Sequence, residues 1–510
     1  MNPGLGMEEP IVDSERLDHL LSQIKDYQIT HGFLLKGVRL EQRTTVPCRP
    51  VNVSILPTPF PRDLFEDAMD LQDLYTDLYI RASSDPEWLY AVLDPLLKPG
   101  SVVKALWDIW IQVQQTGVVQ DVVCGIFRSD YMLHHTSRNG PVALKQVEMN
   151  TLCIAGACHA ERASDLHSHL KRMKDLASIR QQRPASQVRQ DEGSLPLNDN
   201  MLTLISALKA AHDTYTPSTP HPTCVLMPVQ PTNFNIADER PLEYGLWDES
   251  IPCYRCDWPD IISQTTLTPD RSLLFQRFDL TFEVSLVYYR AGYEAHEYAT
   301  PSGISTRLRL ELSRAIKCPD VLTHLTTFKS VQAALTHHSA LAYLDISPDD
   351  QARLAETFMP MFSLADPGCL KLVQNTPEIG DWILKPNLEG GGHNIHGPSI
   401  PAFISDLPQS SYADYTLMQR IRPPEQKGVL MLPDQVYQGP VISELGVIGT
   451  CLWRRNAEEK GVREVLRKET AGWTFKTKPA GVDEMSVVKG YGCFDCPLLV
   501  EKDGAAGSHV

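Results

Sequence analysis

Apolar residues recur every three to four positions in roughly the first 120 residues, and this spacing predicts amphipathic helices. The pattern is clearest in ERLDHLLSQIKDYQ (15–28), FEDAMDLQDLYTDLYIRA (65–82) and VVKALWDIWIQVQQTG (102–117). Asp13 or Ser14 is suited to cap the first of these helices, and Gly117 is suited to end the last. We therefore expect a helical N-terminal region.

The middle of the chain changes to apolar runs of strand length. DVVCGIFRSDYML (121–133) and ALKQVEMNTLCIAG (143–156) predict strands with their joining segments, and the polar stretch 180–196 predicts an exposed loop or insertion. A helix at 203–215, strands at 224–230 and 282–290 and a helix at 308–318 follow. Strands that alternate with helices indicate parallel βαβ units, so we expect a compact α/β domain at about 221–325.

From residue 326 onward the pattern predicts a largely antiparallel sheet. FKSVQAALTHH (328–338) is typical of a helix, whereas DWILKP (381–386), YTLMQRI (415–421), PVISELGVIGTCLWRR (440–455) and WTFKTK (473–478) are typical of strands. The predicted fold class is therefore α/β with α+β elements.

Charge narrows the range of partners. The 510 residues include 47 Lys and Arg against 63 Asp and Glu, which gives a formal net charge of −16. Such a field repels nucleic acids and anionic membranes, so we expect neither as a partner. We find no membrane-spanning run and no signal pattern, and we interpret the 12 cysteines as reduced thiols of a cytoplasmic protein.

The strongest local motif is WILKPNLEGGGHNIHG (382–397). A strand ends at Lys385, and Glu389 precedes Gly390, Gly391 and Gly392. Consecutive glycines let backbone N–H groups approach a phosphate chain, a lysine neutralises phosphate charge, and a carboxylate can hold Mg²⁺. Taken alone, the segment is somewhat more typical of a flexible glycine turn than of nucleotide binding.

Two further motifs place candidate ligand-binding side chains on strands. Glu148 and Asn150 alternate along one strand and project from the same face, where two oxygens could hold Mg²⁺ or simply meet solvent. Arg290 and Tyr293 follow an apolar strand, where an arginine can bind a substrate carboxylate or form a structural ion pair.

Two strands near the C-terminus also carry charged side chains that could either bind a ligand or have a structural role. Glu444 lies within an apolar strand and needs a partner, either a ligand or an internal cation. Lys476 and Lys478 share one strand face and could bind phosphate or line a solvated edge. The cysteine pairs at 253/256 and 493/496 have zinc-like spacing, but they are too far apart in sequence to favour a shared zinc site.

The order of these motifs resembles the eukaryotic-type glutathione synthetases, an ATP-grasp family. The series runs from Arg-Ser-Asp-Tyr-Met at Arg128 through Glu-x-Asn-Thr at Glu148, Arg-x-Gly-Tyr at Arg290 and Lys-Cys-Pro-Asp at Lys317. It continues with Leu-Lys-Pro and Glu-Gly-Gly-Gly around Lys385 and with Ser-Glu-Leu-Gly at 443–446. The resemblance spans residues 16–500.

The resemblance implies an ATP-grasp body formed by 1–220 and 326–510, with a helical N-terminus, an antiparallel ATP domain with a lid, and an inserted substrate domain at 221–325. It also implies an ATP-dependent homodimer that condenses γ-glutamylcysteine with glycine through an acyl phosphate. Glu148, Asn150 and Glu389 would hold Mg²⁺. The residues that would surround ATP are Glu148, Lys329, Lys385, Glu389, Gly390, Gly391, Gly392, Asn394, His396, Met418, Gln419, Arg420, Ile421, Glu444, Lys478 and Glu484. Those that would face the substrates are Arg128, Cys153, Ala155, Asn235, Glu239, Arg290, Tyr293, Lys476, Val487 and Val488, with Arg128 and Lys476 catalytic.

Departures from the family pattern lie mainly on the substrate side. Cys153 and Ala155 stand where the family has hydroxyl donors, Glu239 aligns with a glutamine, and Lys476 replaces a bidentate arginine. His396 aligns with a tyrosine near the nucleotide, and DEMSVVKG (483–490) replaces a small-residue loop. The nucleotide and metal positions are almost complete.

These observations leave three functions open. The first is glutathione formation. The second is the same ligase chemistry on another acid and amine, as in specialised metabolism, because specificity depends on the pocket contacts that differ here. The third is a non-catalytic nucleotide-binding regulator on the same fold. A plain α/β scaffold would require every motif match to arise by chance.

Overall fold

The computed structural model describes residues 11–38, 42–136, 140–173, 193–375, 379–387, 393–456 and 460–501. Its α-helices are α1 (Ser14–Thr30), α2 (Arg62–Ser83), α3 (Pro86–Leu93), α4 (Val102–Thr116), α5 (Ala157–Arg172), α6 (Asn200–Thr214), α7 (Ile236–Asp248), α8 (Ile261–Gln264), α9 (Pro301–Leu312), α10 (Val321–Leu325), α11 (Lys329–Leu335), α12 (His338–Tyr343), α13 (Pro348–Thr357), α14 (Pro367–Asn375) and α15 (Ser399–Asp406).

The strands alternate with these helices along the chain. They are β1 (Leu34–Lys36), β2 (Cys48–Pro50), β3 (Val53–Ser54), β4 (Thr58–Pro61), β5 (Val122–His135), β6 (Val142–Asn150), β7 (Thr223–Val229), β8 (Cys253–Asp257), β9 (Thr265–Leu267), β10 (Leu273–Arg277), β11 (Leu280–Tyr288), β12 (Ile316–Cys318), β13 (Met361–Ser363), β14 (Trp382–Pro386), β15 (Ile395–His396), β16 (Tyr415–Gln419), β17 (Gln426–Met431), β18 (Val436–Arg455), β19 (Val462–Pro479), β20 (Cys493–Phe494) and β21 (Pro497–Val500).

The predicted N-terminal helices are confirmed, together with their end signals. Asp13 caps α1 by accepting the backbone N–H of Arg16 at 3.1 Å. Gly117 ends α4 with a φ of +93°, a conformation that glycine adopts without strain. The four short strands β1–β4 were not predicted, because two to four residues are too few to establish a period.

One large sheet organises the molecule. Its path runs β17-β3-β20-β19-β18-β5-β12-β11-β10-β9, with β6 beside β5, and with β7 joining β11 to β8. The pairs β12/β5, β11/β12, β11/β7 and β7/β8 are parallel, whereas β18 pairs antiparallel with both β5 and β19. The sheet therefore contains both the predicted parallel units and the predicted antiparallel part.

A second, four-stranded sheet has the order β13-β16-β14-β15 and is antiparallel throughout. It has its own apolar core, in which Leu384 and Leu417 are fully buried and pack with Ile400 of α15. The sheet is therefore a separate layer that can face the large sheet across a cavity.

The strands of the predicted 221–325 domain continue the large sheet, since β12 pairs with β5 at Lys317 and Val123. The division into body and inserted substrate domain stays a prediction. The predicted helix at 308–318 is wrong at its end: α9 stops at Leu312, and Ile316–Cys318 forms β12. Parallel pairing with β11 and complete burial of Ile316 override the helical spacing.

Of the predicted polar loop at 180–196, residues 180–192 lie outside the described residues. Residues 193–196 are half-buried rather than exposed, because Ser194 exchanges backbone hydrogen bonds of 3.2 and 2.9 Å with Leu499. Among the described helices, we find none that combines the length and the apolar character required to cross a lipid bilayer.

The centre of the large sheet is tightly packed. Trp453 of β18 is fully buried beside Phe127 of β5, with ring centroids 6.1 Å apart. A Cβ at Gly125 would approach the Trp453 ring to 2.9 Å, so glycine allows the indole to lie against the strand.

We predict that Trp453→Ala lowers the free energy of unfolding by about 3–5 kcal/mol, because truncating a buried aromatic side chain leaves a cavity. Urea unfolding followed by circular dichroism measures this change. Phe278→Ala is the matched control, since Phe278 is 87% exposed, and its effect should stay within about 0.5 kcal/mol. Equal effects of the two substitutions would contradict this account of the core.

Candidate active site

Strands β5 and β6 place four polar side chains on one face of the large sheet. Their register sets Arg128 opposite Asn150 and Asp130 opposite Glu148. Residues that oppose each other across an antiparallel pair lie within contact distance. The Asn150 side-chain amide accordingly donates to Asp130 at 3.1 Å and to Glu148 at 3.4 Å. The predicted shared face of Glu148 and Asn150 is therefore present.

Arg128 is held in a fixed orientation by Asp130. Its Nε and Nη2 atoms donate to the two carboxylate oxygens of Asp130 at 2.6 and 2.8 Å, and Nη1 donates to the carbonyl of Ala155 at 3.0 Å. Burial raises the pKa of Asp130, although Arg128 and Lys476 oppose this shift. The pair presents a rigid guanidinium to the space above the strands.

Strands β18 and β19 contribute a second charged pair. Glu444 lies opposite Lys476 in the register, and their side chains form an ion pair of 2.5 Å. Lys478 lies opposite Ile442 and donates to the carbonyl of Asp483 at 2.8 Å. Burial lowers the pKa of Lys478. Glu444 therefore has an internal cation as partner, which was one of its two predicted alternatives.

Lys385 connects the two sheets. It lies on β14, is 5% exposed, and donates through Nζ to the carbonyl of Val147 on β6 at 3.0 Å. Lys329, the first residue of α11, approaches Glu148 to 3.6 Å. Burial lowers the pKa of Lys385 because it penalises the charged ammonium.

Glu148 has positive charges on several sides. Burial alone would raise the pKa of its carboxyl group, but Lys329, Lys385, Arg128 and Lys476 together lower it to about 2. The side chain is therefore fully ionised at neutral pH and available as an oxygen ligand for a cation.

These groups line a cavity of about 450 Å³ between the large sheet and the four-stranded sheet, which we call the central cavity. The predicted site residues that line it are Arg128, Glu148, Asn150, Ala155, Lys329, Lys385, Asn394, His396, Met418, Gln419, Arg420, Ile421, Glu444, Lys476, Lys478 and Glu484. The fold thus brings segments that are distant in sequence together around the central cavity.

The central cavity is locally basic in an acidic protein. Six Lys or Arg side chains and four Asp or Glu side chains line it, whereas the whole chain has a net charge of −16. Such a local excess of positive charge attracts an anion that the rest of the surface repels. Phosphate groups have the required charge.

The segment 418–421 forms one wall of the cavity. Met418 and Ile421 are buried, while the backbone N–H groups of Gln419 and Arg420 donate to Pro360 and Asp381 at 2.9 and 2.6 Å. A planar base in this position would therefore have to use the other backbone groups of the segment.

His396 is the least satisfied polar side chain of the cavity. Both of its ring nitrogens are buried without a hydrogen-bond partner among the described residues. Burial lowers the pKa of the imidazole, which favours the neutral ring. A neutral ring with an open donor and an open acceptor fits a polar ligand.

A smaller cavity of about 150 Å³ adjoins the first, and we call it the side cavity. Ala155 and Lys476 line both cavities, whereas the predicted substrate residues Asn235, Val487 and Val488 line the side cavity alone. The shared residues make the side cavity a natural extension of the central one.

The side cavity also contains polar groups that the sequence did not indicate. His159 contacts the Asn235 side chain at 3.1 Å through Nε2, and its buried Nδ1 has no partner among the described residues. The hydroxyl of Thr474 is equally unpartnered. Burial lowers the pKa of His159 and favours its neutral form.

Four predicted substrate residues line neither cavity: Cys153, Glu239, Arg290 and Tyr293. Arg290 is 5% exposed and lies 3.1 Å from Asp238 and 3.5 Å from Glu239. Arg255 also pairs with Glu239 at 3.0 Å. Arg290 is thus engaged by internal carboxylates, the alternative that the sequence left open.

The glycine-rich motif falls at a gap in the described chain. Glu389, Gly390, Gly391 and Gly392 lie outside the described residues, so the roles predicted for them stay predictions. On either side of the gap, Lys385 and Asn394 both line the central cavity. Across the described ranges, no three Asp, Glu, His or Cys side chains gather in a metal-binding group, and all twelve cysteines are free thiols.

Sequence reasoning missed Asp130, and in the segment beside Lys478 it identified Glu484 but missed Val482, Asp483, Met485 and Ser486, which also line the cavity. The spacing of Arg128 and Asp130 on one strand face was an available signal for Asp130. For the other residues of the segment, the available signal was the resemblance of 483–490 to a family loop.

Comparison with known proteins places this geometry in a family. The model of "Eukaryotic glutathione synthase, ATP binding domain" matches residues 14–499. Glutathione synthetase of Mus musculus is 30% identical over 499 residues, covering 96% of this chain and 98% of the mouse protein. The glutathione synthetase large chain of Schizosaccharomyces pombe is 26% identical over 500 residues, covering 94% of this chain and 96% of its own.

A solved structure supports the same fold. A glutathione synthetase-like effector from Globodera pallida in its apo form superposes with a TM-score of 0.70 at 21% sequence identity. The superposition covers 96% of this chain and 98% of the other. The predicted α/β fold of the ATP-grasp type is thereby confirmed.

The ionised state of Glu148 has a consequence for stability. The folded-state pKa of about 2 lies below the ordinary value of 4.5, so Glu148 stabilises the fold above pH 4.5 and loses this effect as the pH falls toward 2. We predict that the stability gap between wild type and Glu148→Gln stays constant above about pH 5 and narrows as the pH falls from 4.5 toward 2, measured by urea unfolding. Parallel pH profiles of the two proteins would contradict the shifted pKa.

Proposed function

The chain belongs to the eukaryotic glutathione synthase family and is an ATP-dependent ligase of that type, and from this premise we propose that its central cavity joins a carboxylic acid to an amine. The nominal reaction is that of γ-glutamylcysteine with glycine to give glutathione. The observation that carries the proposal is the convergence of Lys385, Glu148, Glu444 and Lys476 on one basic hollow between two sheets.

The chemistry requires no protein nucleophile. A carboxylate oxygen of the acid attacks the γ-phosphorus of ATP, the bond to the β-phosphate oxygen breaks, and ADP leaves. The amine nitrogen then attacks the carbonyl carbon of the acyl phosphate, a C–N bond forms, and phosphate departs with the proton of the amine. The protein aligns the reactants and balances their charge, which lowers the barrier by as much as about 7–11 kcal/mol in favourable cases.

The basic side chains divide this work by position. Lys385, buried between the sheets, and Lys329, beside Glu148, suit the phosphate chain of ATP. Arg128 and Lys476, which lie where the central and side cavities meet, suit the acid and the transferred phosphoryl group. Fixed cations stabilise the charge that develops there at little reorganisation cost.

Magnesium is the cofactor that we assign to this site. The fit rests on the donor set: an ionised carboxylate on Glu148 and an amide oxygen on Asn150, together on one strand face. Hard oxygen donors are what Mg²⁺ prefers, and it usually keeps only one or two protein carboxylates. Glu389 would complete the set by sequence. When bound, the ion supplies charge neutralisation for the phosphates.

We also propose that the protein is a cytoplasmic homodimer. Its twelve free thiols suit a reducing compartment. Helices α6 and α7 pack on each other and expose large apolar side chains, including Leu202 at 70%, Tyr244 at 57% and Trp247 at 43%. Exposed apolar groups on neighbouring elements are typical of a subunit interface.

A second candidate function, the same ligase chemistry on a different acid, is favoured by the state of Arg290. Two buried carboxylates, Asp238 and Glu239, already compensate its charge. Arg290 also lines neither cavity, so it offers little positive charge to a substrate carboxylate. An acid that lacks a second carboxylate at this end suits the arrangement better, as in a ligase of specialised metabolism.

We predict that the wild-type protein releases ADP only when Mg²⁺, an acid and an amine are all present. Lys385→Met should lower kcat/KM by about 100-fold or more, because a fixed cation is lost from the phosphate site. A coupled assay for ADP across acid and amine pairs measures this. Lys427→Met, on the exposed surface of β17, is the matched control and should behave as wild type.

The same assay separates the alternatives. Loss of turnover on chelation with EDTA and its return with Mg²⁺ would support the metal site, and Glu389→Ala should abolish turnover as well. Binding of Mg-ATP without turnover on any pair would instead identify a nucleotide-binding regulator and contradict the ligase.

The acid specificity has its own test in Glu239→Gln. Removing this charge leaves Arg290 with a single compensating carboxylate, so we predict that the KM for γ-glutamylcysteine falls about tenfold while kcat changes little. Glu249→Gln is the control, because Glu249 is exposed and its nearest cation, Lys209, lies 3.8 Å away. An unchanged KM would remove Glu239 from the account of specificity.

A further inference from the structure

A third cavity, of about 500 Å³, lies outside the two already described. Gln230 follows β7, Trp258 follows β8, and Glu294 comes after β11, and all three line it. Strands β7, β8 and β11 run parallel. The cavity therefore lies at the carboxyl ends of parallel strands, where open α/β sheets bind ligands. We call it the strand-end cavity.

Three residues that line the strand-end cavity carry buried polar atoms without a partner among the described residues. They are the indole nitrogen of Trp258, Oε1 of Glu297 and the hydroxyl of Thr306. The residues are 4%, 7% and 0% exposed, respectively. An unpartnered buried polar atom is costly, so three of them on one cavity indicate a missing partner.

Glu297 is fixed in place by its other oxygen. Oε2 accepts the backbone N–H groups of Tyr293 and Glu294 at 2.9 and 2.8 Å. Oε1 therefore stays in a defined position with its hydrogen-bonding capacity unused. A carboxylate held in this way is suited to a positively charged donor.

The charge of the lining indicates the class of ligand. Glu294 and Glu297 are its carboxylates, and among the described residues that line it there is no Lys or Arg. Glu294 already contacts Gln230 at 3.3 Å and His296 at 2.9 Å, so Glu297 is the carboxylate with a vacant oxygen. An anion would be repelled here, whereas a cation would be stabilised.

The Trp258 side chain adds a second requirement. Its N–H is buried and needs an acceptor. The ring is closely confined, since a Cβ at Gly292 would approach it to 2.7 Å. A ligand with an ammonium group and a neutral oxygen would satisfy Glu297 and Trp258 together, and Thr306 could accept or donate.

We propose that the strand-end cavity binds a small molecule that carries a primary ammonium group next to an oxygen acceptor. The ammonium pairs with Glu297, and the oxygen accepts from the Trp258 indole. This site is separate from the acyl-transfer site of the central cavity. The ammonium can belong to a free amine or to the α-amino group of an amino acid.

Ethanolamine is the probe, with ethylene glycol as its neutral isostere and acetate as an anion. Isothermal titration calorimetry on the full-length protein should detect ethanolamine but neither comparison compound. Glu297→Gln should weaken ethanolamine binding by about tenfold or more, as expected for loss of a charged hydrogen bond. Glu249→Gln, at an exposed carboxylate outside the lining, should bind as wild type.

Trp258→Phe keeps an aromatic ring but removes the N–H, so it tests the site even if Glu297→Gln fails to fold. Titration of L-alanine, which is not a substrate of the nominal reaction, against the same variants distinguishes the two sources. Weakening of ethanolamine alone identifies a free amine, and weakening of both identifies an amino acid. If ethanolamine does not bind the wild type, or binds with undiminished affinity after Trp258→Phe, the proposal is overturned. ADP release by the wild type tests the ligase separately.

Discussion

The site depends on how a cluster of positive side chains is kept together in the folded state. Lys329, Lys385, Arg128 and Lys476 all lower the pKa of one carboxylate, Glu148, and they surround a hollow between two sheets. Buried like charges repel, so each needs an internal partner or a bound anion. Asp130 and Glu444 provide two of those partners at 2.6 and 2.5 Å. The remaining positive charge is available to a polyphosphate, which explains why an acidic protein can bind an acidic nucleotide.

This constraint explains why the chain needs two layers. The carboxylates and Arg128 lie on strands of the large sheet, whereas Lys385 lies on β14 of the other sheet and reaches β6 through the carbonyl of Val147. Lys385 lines the cavity from the opposite side. A shift between the two sheets would therefore move Lys385 relative to the large sheet and change the charge balance of the site. In this way the free energy of phosphate binding can be coupled to closure of the two layers.

Local pattern was sufficient for much of this architecture. The spacing of apolar residues located α1, α2 and α4. The cap at Asp13 and the helix end at Gly117 followed from the chemistry of these two residue types alone. The alternation of Glu148 and Asn150 correctly placed both on one face. What the sequence could not supply was the register between distant strands. Asp130 binds Arg128 along β5 itself, but it faces Glu148 and Asn150 only because β5 pairs with β6. The end of α9 was mistaken because β12 is stabilised by pairing with β11.

The proposed acid side of the site and the proposed nucleotide side place different demands on the residues that line them. A phosphate chain has fixed charge and shape, so the groups that bind it tolerate little change without losing ATP. An acid substrate is recognised by a few hydrogen bonds, and each one gained or lost shifts preference by about 1–3 kcal/mol. His159 and Thr474 in the side cavity carry unpartnered polar atoms that suit such bonds. Substitutions at these positions would leave the charged cavity intact while altering what can lie next to it. Selection for a new substrate would therefore act on the residues at the carboxyl ends of the parallel strands. The strand-end cavity, with the unpartnered Oε1 of Glu297, lies at the same edge of the sheet.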